Sequence, residues 1–247
     1  MAGDNHSPLA QFEIQTLVPL PPLAGFNVDF TNSSLFMVLS CVAALLFLSL
    51  GMKGRALVPS RWQSMVEITY GFVAGMVKDN IGNAGRPFFP FVFTLFIFVL
   101  FCNLLGMIPF SFTVTSHIIV TFALAAFIFV LVTLVYIIRF GLGSFLAHFL
   151  PAGTPWWIAP LMYFIEMFSY LARPISLSVR LGANMMIGHT MMKLVAMFVV
   201  MIAGIGSLAP LLFLVLLTGF ELFVAILQAY IFTVLTCVYI NDAVHKH

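Results

Sequence analysis

Charge is what this chain has least of. Ten Lys and Arg and eight Asp and Glu make 7% of 247 residues, against about 25% in an ordinary soluble domain. So few charges cannot clothe a water-exposed globule. The formal net charge of +2 gives no argument for nucleic acid, and none is expected as a partner. Cysteine is scarce too. Cys41, Cys102 and Cys237 lie in apolar runs without metal-ligand spacing and read as packing residues. No glycine-rich phosphate loop or metal-binding motif appears, so no cofactor or metal is expected and chemistry on a soluble substrate has no seat. The first thirty residues lack the basic start and short apolar core of a cleavable signal peptide.

What remains is apolar: 62% of the residues are hydrophobic and the mean hydropathy is +1.14. The class is an all-α polytopic membrane protein in one membrane domain, residues 1–247. Residues 1–33 carry Asp4, Glu13 and Asp29 but no Lys or Arg, and Pro19, Pro21 and Pro22 disfavour a helix; they read as an extended tail on the membrane surface. A first span covers 34–52, long enough for about 30 Å of hydrocarbon. In 61–79, Trp62, Val66, Tyr70, Val73 and Val77 recur at helical spacing among Arg61, Gln63, Glu67, Lys78 and Asp79. That is the pattern of an amphipathic helix in the interface plane. A second span covers 87–110, closed by Pro109, and a third 115–138, followed by Arg139 and a loop marked by Gly141, Gly143, Pro151 and Pro155. Residues 158–204 form one helical pattern, roughly 70 Å if straight, which must be tilted, broken or both. Pro174, Gly182 and Gly188 offer bending points. After a turn at 203–207, residues 208–240 form a last long helix. The expected architecture is three roughly upright spans, one interfacial helix and a long tilted antiparallel hairpin.

Lys53, Arg55, Arg61, Lys78 and Arg86 follow span one, Arg139 follows span three and Lys246 the last helix, whereas the tail and the other turns lack Lys and Arg. By the positive-inside rule the N-terminus is outside and the C-terminus cytoplasmic. No internal repeat is seen, which weakens an inverted-repeat transporter.

The polar residues inside this apolar chain need explaining, since a charge at membrane depth costs at least ~2.5–3.5 kcal/mol. Ser176, Arg180 and Asn184 are four apart and share a helix face. His189 is nine residues past Arg180, on the opposite side and roughly 13.5 Å along. Folding the last helix back about residue 205 sets His189 level with Glu221 and Arg180 level with Gln228. This makes two tiers: a His–carboxylate pair able to exchange protons near neutral pH, and a fixed cation beside an amide. Glu166 either pairs with Arg173 seven residues on or lines a water path. Arg173 also reads as an interface anchor with a snorkelling stem. Asn103 and Asn184 are open to a helix–helix hydrogen-bonding role, and Ser176 and Ser178 to close packing. Lys193 has a place only if it faces a polar cavity or the helix tilt brings it near the surface. Arg180 has no acidic residue three or four positions away. It stays charged and implies a carboxylate on another chain.

Arg173-Pro174-Ile175-Ser176-Leu177-Ser178-Val179-Arg180-Leu181-Gly182-Ala183-Asn184-Met185 resembles the signature of subunit a of F-type ATP synthases, of the alphaproteobacterial and mitochondrial-like type. So does Leu227-Gln228-Ala229-Tyr230-Ile231-Phe232-Thr233-Val234-Leu235-Thr236, while Glu67 to Asp79 resembles the family's interfacial helix. The resemblance implies a non-catalytic stator in the bacterial inner membrane. Its implied partners are a ring of c subunits carrying a membrane carboxylate, a b-type peripheral stalk, the rest of the ATP synthase complex and the lipid bilayer. Arg180 resembles the residue that faces each passing rotor carboxylate and separates two half-channels. Asn184, His189, Glu221 and Gln228 match outer half-channel positions, and Glu166 an inner one. In some members the residues at the His189 and Glu221 positions are exchanged, and a position near Asn103 that carries a carboxylate in some members is Gly106 here. A stand-alone proton-coupled transporter and a purely structural subunit of another complex are the competing readings.

Overall fold

The computed structural model describes residues 12–19, 29–53, 58–108, 111–150, 154–202 and 204–245. Asp4, Pro21, Pro22, Arg55, Pro109, Pro151, Ala203 and Lys246, used in the sequence argument, lie outside the described residues.

Among the described residues helix predominates, with one small strand pair. Strand β1 (Thr16–Val18) runs antiparallel to β2 (Phe30–Thr31), so the tail is more than an extended stretch. Asn32 ties it together: its side chain accepts from the Gln15 backbone N–H and donates to the Glu13 carbonyl. Helix α1 (Asn32–Met52) starts at Thr31, whose hydroxyl accepts from the Ser34 N–H and satisfies a free donor of the first turn. The residues α1 buries are Ser33, Ser40, Ala44 and Gly51; all are small, so the neighbouring helices approach its backbone closely. Ser60 caps α2 (Arg61–Ile81) in the same way. That helix buries Val66, Val73, Met76, Val77 and Ile81 and exposes Arg61, Glu67, Lys78 and Asp79. It ends at Gly82, whose φ of 73° turns the chain. A 3-10 stretch, Gly82–Phe88, then leads into α3 (Phe89–Gly106).

A further 3-10 turn, Val114–Ser116, leads to α4 (Ile118–Phe140). The loop expected after α4 contains a short helix, α5 (Leu142–His148). Phe145 holds it in place, its ring 5.1–5.8 Å from those of Tyr136, Phe149 and Tyr170. Helix α6 (Ala159–Ile202) runs 44 residues through Pro174, Gly182 and Gly188 without a break. The 3-10 turn Gly204–Ser207 connects it to α7 (Leu208–Val244), 37 residues long.

Among the described residues, five helical segments are long and apolar enough to cross a membrane: α1, α2 with α3, α4, α6 and α7. Their shared core holds Val73, Val92, Val99, Leu177, Leu181 and Phe232. Helices α6 and α7 pack as an antiparallel pair. Thr218 meets Met192, Gln228 meets Asn184 and Asp242 meets Arg173, in order away from the turn.

Candidate functional site

Near the α6–α7 turn, His189 and Glu221 face each other. Their Nε2 and Oε1 atoms are 3.8 Å apart, and both residues are buried, at 7% and 4% exposure. Gly188 makes this possible: a Cβ there would stand 2.5 Å from Glu221 Oε1, so the carboxylate lies against the bare backbone of α6. His189 Nε2 is also 3.0 Å from the hydroxyl of Thr113, in the loop between α3 and α4. A cavity of about 750 Å³ reaches His189 from the turn end of the bundle. Its walls include Glu13 and Gln15 of the tail, Asn32, Phe112, Thr218 and Lys193. Lys193 therefore faces a cavity, which gives its ammonium a place that hydrocarbon does not.

Further from the α6–α7 turn, Asn184 donates to Gln228 at 2.9 Å. The amide of Gln228 is thus level with Asn184, not with Arg180 as the fold-back count implied. Asn103 of α3 donates to the Ala225 carbonyl of α7 at 3.1 Å, between Glu221 and Gln228. Arg180 stands midway along α6, exposed, as are Ser176 and Asn184 on the same face. Among the described residues it makes no hydrogen bond or ion pair.

At the far end, Arg173 pairs with Asp242 of α7, Nη1 to Oδ2 2.9 Å. This overturns a pairing with Glu166. The guanidinium also lies 5.5 Å from the Tyr170 ring centroid and 5.4 Å from that of Tyr239, so two rings and a carboxylate hold it. Glu166 is half-buried and apart from this clamp.

Several buried polar atoms make no hydrogen bond among the described residues: Asn103 Oδ1, Thr115 Oγ1, His117 Nε2, both carboxylate oxygens of Glu221 and Gln228 Nε2. All lie on the half of the bundle that holds the cavity. A buried polar group left dry costs about 1–3 kcal/mol, so a cluster of them demands water. Sequence reasoning passed over Thr113, between the second and third spans, and Asp242, two residues past the expected end of the last helix.

Buried polar groups strung between apolar helices, beside a cation exposed at mid-helix, define an ion-handling polytopic membrane subunit. Residues 34–241 match the family described as ATP synthase A chain. The protein named ATP synthase subunit a from Ehrlichia canis (strain Jake) is 52% identical over 241 residues, covering 98% of this chain and 99% of that protein. The chain belongs to the ATP synthase A chain family, the non-catalytic, proton-translocating membrane subunits of ATP synthase.

Proposed function

We propose that the chain is the stator side of a rotary proton path. It supplies two half-channels, kept apart by Arg180, to a turning ring of small subunits that each carry a membrane carboxylate. The observation that carries this is Arg180 itself: a permanent charge, exposed halfway along a helix of membrane-spanning apolarity, with no carboxylate of its own chain in ion-pair reach among the described residues. Ser169, Ala172 and Ser176, also exposed, lead up to it along the same face. Their small side chains let another helix approach closely, as a passing rotor helix must.

On this reading the turn end faces outward and the C-terminal end the cytoplasm of a bacterial inner membrane, following the distribution of Lys and Arg. At 1.5 Å per residue, α6 and α7 are roughly 66 Å and 56 Å long and lie oblique to a hydrocarbon layer of about 30 Å. The three shorter spans stand more upright, α2 lies along the interface, and a b-type stalk subunit occupies membrane surface away from the rotor. Protons enter by the cavity, pass His189 and Glu221, and reach the rotor carboxylate beside Asn184 and Gln228. The neutralised carboxyl can then turn into lipid. After rotation the proton leaves by the half-buried Glu166. Arg180 favours the deprotonated carboxylate as it passes and blocks direct proton transfer between the paths. Each charge moved yields about 2.3 kcal/mol per 100 mV.

The test is Arg180→Ala in membrane vesicles carrying the assembled complex. ATP-driven proton pumping is expected to vanish while the complex still assembles. Normal pumping in that variant would remove the reading and leave a structural subunit. Transport by the purified chain alone would favour a self-contained transporter.

A further inference from the structure

Thr113 is buried, at 4% exposure, and its place is set by a network around it. Ser116 donates to the Thr113 carbonyl through both its hydroxyl, at 2.6 Å, and its backbone N–H, at 3.2 Å. The Thr113 hydroxyl lies 3.3 Å from the Gly106 carbonyl and 3.0 Å from His189 Nε2. That carbonyl has a second donor, the Ser111 hydroxyl at 2.9 Å. Gly106 has no side chain where one would collide: a Cβ there would stand 2.8 Å from Thr113 Cγ2.

We infer that Thr113 is a positioning residue that holds the His189 imidazole toward Glu221 in both of its protonation states. This rests on the reading of His189 and Glu221 as part of the proton path. A threonine hydroxyl has one proton to give and lone pairs to accept. When Nε2 carries a proton, Thr113 accepts from it and gives its own proton to the Gly106 carbonyl. The Nε2 proton then passes to Glu221, across one water or after a small approach, since 3.8 Å exceeds direct transfer range. The N–H bond breaks, an O–H bond forms on the carboxylate, and the imidazolium becomes neutral with its remaining proton on Nδ1. The Thr113 hydroxyl now turns and donates to the bare Nε2. Ser111 keeps the Gly106 carbonyl satisfied meanwhile. No heavy atom of the bracket moves, and the ring keeps its orientation although its terminal torsion is intrinsically broad.

Thr113→Val keeps the shape and removes the hydroxyl; Thr113→Ser does the reverse. The readout is ATP-driven pumping in vesicles, normalised to assembled complex. The expected result is a fall of roughly 3- to 10-fold for Thr113→Val, the net worth of one hydrogen bond, and near-wild-type pumping for Thr113→Ser. A pure packing role gives the opposite order and overturns the inference. Gly106→Ala should reproduce the loss, and adding Thr113→Ser to it should restore pumping in part because Cγ2 is gone; a double variant no better than Gly106→Ala counts against the bracket. His189→Ala separates the two levels. If it pumps normally, the path reading fails. If it is inactive while Thr113→Val is normal, only the role of Thr113 fails.

Discussion

At the scale of single residues, the site depends on what is missing from α6 at Gly188. A methyl there would stand 2.5 Å from Glu221 Oε1 and 2.9 Å from its Cδ, so the carboxylate must leave its place beside His189. Gly188→Ala is expected to lower proton pumping by on the order of 10- to 100-fold, as displacements of about 1 Å do at reacting groups. The shorter Glu221→Asp in the same background should recover part of it. Pumping assays on the single and double variants check this, and an unimpaired single variant would sink it. The meeting of His189 with Glu221 was legible in the sequence because both lie close to the turn. Further away the count slips. Symmetry about residue 205 pairs 184 with 226 and 173 with 237, yet the observed partners are Gln228 and Asp242, two and five residues on. Helical side chains lean toward their own N-terminus. On α6 that is away from the turn and on α7 toward it, so contacts fall between residues offset in the observed sense, and most for the long side chain of Arg173.

At the scale of elements, α6 and α7 are joined far from their turn by the Arg173–Asp242 clamp, flanked by Tyr170 and Tyr239. The pair is a little over a quarter exposed on each side, so solvent screening keeps the ion pair's share to about 1 kcal/mol or less. The flat guanidinium adds a contribution that an ammonium reproduces poorly at a planar, stacked site. Arg173→Lys is accordingly expected to lower the melting temperature of the solubilised complex by roughly 2–4 °C, and Asp242→Ala by as much or more. Differential scanning fluorimetry decides, and an unchanged Arg173→Lys variant would show that the rings contribute nothing. The five long apolar helical segments could be read from composition because hydrophobic length is local information. Helix α5 could not. It has seven residues, with Gly141 and Gly143 at its start, and is held by ring contacts from Tyr136 and Tyr170 that come from elsewhere in the chain. The tail strands were hidden for the same reason, since their anchor is Asn32, at the start of the first span.

At the scale of the whole molecule, polar groups are divided between interior and surface. The half near the turn gathers a cavity, a His–Glu pair and several unmet buried atoms, while the mid-molecule cation is turned outward. That outward cation has a consequence for the life of the protein in the cell. On the proposed arrangement, a chain inserted before its neighbours arrive carries in its membrane-embedded surface a penalty of at least ~2.5–3.5 kcal/mol. Native states hold only about 5–15 kcal/mol in reserve, so a lone copy spends more time open to misinsertion and to membrane proteases. Arg180→Leu should therefore raise the steady-state amount of chain made without other subunits, by several-fold, while abolishing pumping once assembled; immunoblotting of cells expressing the chain alone measures it, and equal amounts would refute it. The same guanidinium would then act as the mark by which the cell tells an orphan copy from an assembled one.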